Sequence, residues 1–548
     1  MKKSIFLFVI ISFFCLLSNI SYAQAPNWLW AKSAGGTGDD KAYSVAVGAS
    51  GNNYIVGTFE SSTITFGSYT LTNAGINNMF LAKYDANGNV LWAKSAGGTA
   101  DDEAYSVAVD ASGNIYLAGY FESPTITFGS YTLTNAGSYD MFLAKYDING
   151  NVLWAKSAGS TGDDEAYSVA VDASGNIYVA GYFESPTITF GSTTLTNAGN
   201  YDMFLVKYDA NGNVLWAKSA GGNSADMAYS IAVDVSGNIY MAGYFYSTTL
   251  TFGSTTLPNA GNCDMFLAKY DANGNVLWAK SAGGTDEDYE NSIAVNASGN
   301  IFMAGGFRSP TITFGSYTLT NVGNCDIFLA KYDTNGTVLW AKSAGGTGDD
   351  DAYSVAVDVS GNPYVAGLFN SPTLAFGSTT LTNVGNYDMF LAKYDANGKV
   401  LWAKSAGGAG DDESYSVAVD ASGNPFVAGY YKSPTITFGS YTLTNAGADT
   451  TYDMFLAKSG NGTGINELSN SLGISVFPNP ATDKITVETS GASKGSCLAI
   501  VNIEGQQLIT RQITEAKTQI DISDLPSGVY FVRVSSERTV SIGKFVKQ

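Results

Sequence analysis

Trp28-Leu-Trp-Ala-Lys-Ser-Ala34 is the stretch that decides the fold, because it is the first copy of a motif and lacks the partner every later copy has. Trp-Ala-Lys-Ser-Ala returns at Trp92, Trp154, Trp216, Trp278, Trp340 and Trp402, each copy from Trp30 onward standing 62 residues after the last. Every later copy follows a run such as Asp140-Met-Phe-Leu-Ala-Lys-Tyr-Asp147 and a short Asn-Gly turn. The first copy has no such run before it, and the last run, Asp453-Met-Phe-Leu-Ala-Lys458, has no Trp-Ala-Lys after it. A surplus at one end thus matches a deficit at the other.

Residues 163–219 stand for the unit. An acidic loop, Asp163-Asp-Glu165, leads into Ala166-Tyr-Ser-Val-Ala-Val-Asp172 and the turn Ala173-Ser-Gly-Asn176. Ile177-Tyr-Val-Ala-Gly-Tyr-Phe183 follows, then a longer segment from Glu184 to Asn200, then Met203-Phe-Leu-Val-Lys-Tyr208, the turn Asp209-Ala-Asn-Gly212 and Val214-Leu-Trp-Ala-Lys-Ser219. Short β-branched and aromatic runs bounded by Asn-Gly and Ser-Gly-Asn are strands joined as hairpins. Each unit is therefore expected to be a four-stranded antiparallel meander, with a small extra hairpin between its second and third strands.

Side-chain size orders the strands. The first two are rich in Ala, Gly, Ser and Val, and the last two carry Phe, Leu, Tyr and Trp. Radially arranged sheets crowd near the axis and splay at the rim, the taper of a β-propeller. Seven acidic-loop starts, at Tyr43, Tyr105, Tyr167, Tyr229, the variant Asn291, Tyr353 and Tyr415, predict seven blades. Residues 28–34 then supply the outer strand of the seventh, which leaves no open edge in the ring. The expected fold is all-β: a seven-bladed β-propeller over 24–458 closed by an N-terminal strand, then a linker at 459–473 and a small Ig-like β-sandwich at 474–548.

The unit resembles the bacterial seven-bladed propeller repeats (SBBP-like repeats) in Gly162-Asp-Asp164, in Val169-Ala-Val-Asp172 through Gly181, and in Phe142-Leu-Ala-Lys145. That resemblance spans roughly 28–458 and speaks to fold; such propellers serve many roles. The tail reads as short strands with turns between. Phe477-Pro-Asn-Pro480, Leu525-Pro-Ser-Gly-Val-Tyr530 and the Lys544-Phe-Val-Lys547 ending resemble the type A C-terminal sorting domain of the type IX secretion system. That resemblance implies passage through the outer membrane, with 474–548 recognised by the secretion machinery and a sortase-like partner.

At the other end, Met1-Lys-Lys, an apolar core from Ile5 to Leu17 and Ser21-Tyr-Ala23 read as a secretory signal peptide over 1–23. No later run approaches the roughly 20 apolar residues of a membrane span. Both ends predict a secreted or outer-surface protein.

Composition narrows the chemistry. The 548 residues include 28 Lys+Arg and 48 Asp+Glu, a net charge of −20, which opposes nucleic-acid or anionic-membrane partners. Histidine is absent, so His-based triads, His-ligated zinc and histidine pH switches are excluded by inventory. Cys263 and Cys325 occupy one place in adjacent repeats, where other copies carry Tyr139, Tyr201 and Tyr387. A bridge would need Cα atoms within about 7 Å; two buried thiols is the alternative.

Three recurring motifs bear on function. Asp209-Ala-Asn-Gly-Asn213 has oxygen donors spaced like the start of a calcium loop, but its Gly comes at the fourth position and a strand follows, so it reads as a hairpin turn. Asp40, Asp102, Asp164, Asp226, Asp288, Asp350 and Asp412 recur in every unit. Two readings are open for them: a ring of carboxylates on one face holding cations such as calcium, or seven turn caps bonding backbone amides. On the same face one position varies, as Glu60, Glu122, Glu184, Tyr246, Arg308, Asn370 and Lys432. It is either a ligand-binding surface with a negative and a mixed half, or drift at an exposed rim.

Near-identical blades offer no unique catalytic constellation, so no enzyme and no cofactor is expected. The resulting expectation is a binding or adhesion module for an extracellular glycan or protein. A structural spacer of the envelope or matrix, or a carboxylate-based polysaccharide enzyme, are the alternatives.

Overall fold

The computed structural model describes residues 25–447, 450–460, 474–489, 497–502, 506–513, 515–535 and 540–548. The segment read as a signal peptide, 1–23, and positions 461–473 of the expected linker lie outside the described residues. The chain falls into two compact units, 1–461 and 462–548.

The described residues of the first unit form seven four-stranded antiparallel sheets and seven two-stranded hairpins. The third sheet is representative: Asp164–Val171, Ile177–Phe183, Asp202–Tyr208 and Val214–Ala220 lie side by side in chain order. Its hairpin, Thr187–Phe190 with Thr193–Thr196, buries Ile188, Phe190 and Leu195. The second and third strands are buried almost along their whole length, because each sheet is covered on both faces by its neighbours. The outer strand is exposed at five copies of its leucine, as at Leu153 and Leu215, and half-buried at Leu29 and Leu401.

A bulge at one place in each first strand shapes the interior. In the third sheet Ala166 pairs with Gly181 and Ser168 with Ala180, which leaves Tyr167 without a cross-strand partner and turns it out of the ladder. The same slip occurs at Tyr43, Tyr105, Tyr229, Asn291, Tyr353 and Tyr415. Gly181 opposite the bulge is required by space, since a Cβ there would lie 1.9 Å from the Glu165 carbonyl oxygen.

Seven identical hydrogen bonds lace each first strand to the one before. Val107 N–H donates to Ser44 Oγ at 3.3 Å and Val169 to Ser106 at 3.1 Å, and the series runs through Ile231, Ile293, Val355 and Val417. The seventh, Val45 N–H to Ser416 Oγ at 3.1 Å, joins the first sheet to the last.

The opening segment completes the seventh sheet. Asn27–Ala34 pairs antiparallel with Asp453–Gly460, with Trp30 opposite Lys458 and Ala31 opposite Ala457. This is the register of a continuous sheet, where Trp92 faces Lys83 and Ala93 faces Ala82. Trp28 packs edge-on against Phe438 at 5.0 Å, and Trp28 and Trp30 are both buried. The strand reaches Gly460, so the expected linker boundary at 459 is corrected by two residues: Ser459 and Gly460 still pair, with Trp28 and Asn27.

In the second unit, Ile474–Phe477, Lys484–Thr489 and Lys517–Asp521 form one sheet, and Gln507–Gln512, Cys497–Val501, Gly528–Ser535 and Val540–Lys547 another. Both feed one apolar core, Ile485, Val487 and Ile520 from the first and Leu498, Ile500, Val532 and Phe545 from the second. Among the described residues no helix is long and apolar enough to cross a membrane.

Candidate functional site

The expectation of an open ring of seven carboxylates is corrected. Asp40, Asp102, Asp164, Asp226, Asp288, Asp350 and Asp412 are each fully buried. Asp164 shows the reason: its Oδ2 accepts from Ser185 Oγ at 2.6 Å and from Ser160 N–H at 2.8 Å, and its Oδ1 from Ser185 N–H at 3.3 Å. The latch ties the start of the first strand to the end of the second. It recurs with Ser61, Ser123, Ser247, Ser309, Ser371 and Ser433. Burial pushes the Asp164 carboxyl up to about 6 against the pull of its donors, and the neighbouring Asp140 adds to the rise. Among the described residues no three carboxylates or thiolates are grouped to hold a metal ion.

Asp209 is likewise spent on its turn, accepting at 2.9 Å from the N–H groups of Asn211 and Asn213 and at 2.8 Å from Asn213 Nδ2. Cys263 and Cys325 are free and buried.

The seven variable positions do share one edge. The N–H groups of Glu60, Glu122, Glu184, Tyr246, Arg308, Asn370 and Lys432 donate to the carbonyls of Asp39, Asp101, Asp163, Ala225, Glu287, Asp349 and Asp411. Three glutamates also accept from the loop: Asp101 N–H reaches Glu122 at 3.2 Å, Asp163 N–H reaches Glu184 at 3.2 Å and Asp39 N–H reaches Glu60 at 3.4 Å. The first three sheets therefore present paired carboxylates. The fifth and seventh present Arg308, 5.7 Å over the Tyr289 ring, and Lys432, 5.4 Å over that of Tyr452.

At this end lies a set of residues that sequence reasoning missed. The bulged tyrosines meet ring to ring from sheet to sheet: Tyr105 stacks on Tyr167 at 4.6 Å, Tyr167 meets Tyr229 edge-on at 4.7 Å, Tyr353 lies tilted against Tyr415 at 4.6 Å, Tyr415 meets Tyr43 edge-on at 5.8 Å and Tyr43 lies tilted against Tyr105 at 5.3 Å. A second tier, Tyr120 with Tyr139 and Tyr182 with Tyr201, stands at 4.7 and 5.0 Å. Carboxyls sit between the tyrosines. Glu165 accepts from the hydroxyls of Tyr167 at 3.0 Å and Tyr182 at 2.8 Å, and Glu413 from that of Tyr430 at 3.2 Å. Burial raises both to about 7. The available signal was that the residue after each latch aspartate varies: Lys41, Glu103, Glu165, Met227, Tyr289, Asp351 and Glu413.

The fifth sheet interrupts the pattern with Tyr289-Glu290-Asn291 in place of Glu-Ala-Tyr. Asn291 Nδ2 donates to Asp351 at 3.2 Å, and Gly306 replaces the second-tier tyrosine. A Cβ at Gly306 would lie 2.6 Å from Asp351 Oδ1 and 2.7 Å from Cys325 Sγ, so these two groups occupy the vacated space.

Residues 475–548 match the family of secretion system C-terminal sorting domains. Residues 153–182 match the β-propeller repeat family. The chain thus carries an export tail behind blade-like repeats, and the tail marks it as a secreted or cell-surface protein handled by the type IX machinery. It is 27% identical over 459 residues to an uncharacterised WD repeat-containing protein of Acanthamoeba polyphaga mimivirus, a match covering 68% of this chain and 33% of that one. It is 25% identical over 371 residues to the regulatory protein FlaEY of Caulobacter vibrioides, covering 62% and 37%. The chain spans about a third of the length of each curated relative. Among solved structures, PorZ, a surface component of the type IX secretion system of Porphyromonas gingivalis, is similar at 13% identity and a TM-score of 0.29, over 92% of this chain and 74% of that one.

Proposed function

We propose that the seven sheets are the blades of a closed seven-bladed β-propeller, followed by an Ig-like sorting sandwich, and that the exported propeller is a binding or adhesion module. Its ligand is an extracellular glycan or protein, engaged at the end of the ring that carries the tyrosines and the acidic loops. The observation that carries this reading is the contrast between constancy and variation at that end. The latches and inter-sheet bonds repeat seven times, while the positions beside the tyrosines run from Glu122 to Arg308. A scaffold alone has no need of partly exposed aromatic rings there; tyrosine supplies rigid contact area with a polar tip, which suits recognition. The role needs no catalytic step.

A glycan and protein array probed with the exported chain, with and without calcium, tests the reading. Selective capture is expected, and its loss when Tyr105 and Tyr167 are changed to Ala locates it at this end. Signal at background throughout overturns the binding role. Deletion of 474–548 is expected to abolish release to the outer surface; unchanged export overturns the assignment of the tail.

A further inference from the structure

The cations at this end of the ring all rest on tyrosine. Lys41 Nζ lies 5.3 Å from the Tyr430 ring centroid and 4.9 Å from that of Tyr452, with Asp39 at 3.5 Å. Lys432 stands over Tyr452, and Arg308 over Tyr289. The seam between the seventh and first sheets is therefore an ammonium seat, filled from within: two tyrosines meeting edge to face at 5.0 Å, a loop aspartate and two lysines.

The seam between the second and third sheets repeats that architecture without the lysines. Tyr120 and Tyr139 stand where Tyr430 and Tyr452 stand, and Asp163 where Asp39 stands. The two lysine positions are taken by Glu165 and Glu122. Asp163 pairs with Tyr139 in a parallel bridge and Glu122 accepts from Asp101 N–H at 3.2 Å beside it; burial, and after it these carboxylates, raise the Tyr139 hydroxyl above its usual range. At the next seam Tyr182 and Tyr201 repeat the pair, with Glu165 accepting from the Tyr182 hydroxyl at 2.8 Å, Glu184 in the place of Lys432, Met227 in the place of Lys41 and Ala225 in the place of Asp39. A tyrosine face among carboxylates attracts an ammonium both through the ring quadrupole and by charge.

We propose that the seats at Tyr120–Tyr139 and Tyr182–Tyr201 take lysine side chains of a basic polypeptide, the external counterparts of Lys41 on Tyr430 and Tyr452. The proposal rests on the binding reading above and names its ligand class. A lysine is favoured over other amines because the filled seat in the same molecule holds a lysine.

The test is calorimetric titration of the exported chain with a short oligolysine peptide, its fully Nε-acetylated form and a chitosan oligomer. Oligolysine is expected to bind and the acetylated peptide is not. Glu122→Lys with Glu184→Lys, which supplies internal cations as Lys432 does, is expected to weaken binding about tenfold or more. Tyr139→Leu with Tyr201→Leu is expected to weaken it similarly. Glu60→Lys is the control for Glu122→Lys alone: it makes the same charge change beside Thr58 and Asn77, where no tyrosine pair stands, and is expected to shift affinity by about twofold or less, against a several-fold loss for Glu122→Lys. An equal loss in Glu60→Lys and Glu122→Lys overturns the seats in favour of diffuse charge. Equal binding of the acetylated peptide, or tighter binding of chitosan, also overturns the proposal. An array ligand whose capture ignores all these variants leaves the binding module standing and removes the lysine seats.

Discussion

The third and fifth sheets share strand lengths, latch and register, yet treat a buried carboxyl in opposite ways. In the third, Glu165 lies between two tyrosine hydroxyls that hold it. In the fifth the order is shifted by one residue. Glu290 stands where the other sheets carry Ala or Ser, fully buried, with neither carboxylate oxygen bonded. Ser414, at the same place in the seventh sheet, instead donates to the Gly367 carbonyl at 2.7 Å. Period-two alternation explains the difference, since a one-residue shift moves a side chain from one face of the sheet to the other. Each sheet can absorb such a shift because its latch and inter-sheet bonds use other residues. The repeat thus tolerates change at these positions without losing its frame.

Five changes break or sharpen this comparison. The largest effect is expected from the seventh sheet, whose frame is discontinuous in sequence. Deleting 25–34 uncovers Phe438, Phe455 and Leu456 and removes two buried tryptophans. The midpoint of thermal unfolding is expected to fall by far more than after removal of an equally long exposed loop, because each buried aromatic contributes about 3 kcal/mol. An equal fall in the two deletions would show that the ring is held some other way.

Next comes Glu290. Burial raises its carboxyl well above the usual range, so the folded state holds a proton that the unfolded chain releases near 4.5. Stability from this group is full below that value and declines as pH rises toward the folded one. Glu290→Ala is expected to be more stable than the parent by about 2 kcal/mol at pH 8 and to lose that advantage by pH 4. Denaturant unfolding at both pH values checks it; an advantage independent of pH would assign the effect to packing alone. Glu165→Ala, at the partnered site, is expected to destabilise instead.

A smaller loss is expected at one latch. Ser185→Ala strips Asp164 of its 2.6 Å donor and is expected to cost about 1–2 kcal/mol in the same assay. The smallest effect belongs to Asp209→Ala, which removes the turn's own acceptor from an exposed hairpin. A change within about 0.5 kcal/mol and undiminished array binding are expected there; lost binding would return the turn to the list of functional sites.

Much of the frame was legible because the chain states it repeatedly. Asn-Gly turns, alternating strands and the unpaired Trp30 led directly to a strand order in which Trp30 faces Lys458. The latch was half legible. Its aspartates were visible, but Ser185, 21 residues on, was not recognised as their partner, although serine follows every variable position from Glu60 to Lys432. The size taper drew attention to Ala and Val in the first strands and away from the tyrosines. A residue in a bulge leaves the strand's alternation, so Tyr167 stands outside the ladder and meets the tyrosines of neighbouring sheets.

By itself, the sequence determined a repeated β meander, a first strand that belongs to the last sheet, an export tail and an inventory without histidine. These are matters of composition and of contacts between neighbours along the chain. Only the tertiary structure decided what the acidic residues do. Whether a carboxylate is spent on a serine, held between two tyrosines or left alone beneath a sheet depends on which groups the folded chain brings to meet it. The distant partners lie from 17 residues away, as in Glu165 and Tyr182, through 21, as in Asp164 and Ser185, to more than 400, as in Asp39 and the Tyr452 amide. Nothing local announces such a meeting, since only the closing of the sheets around one another brings the two groups together.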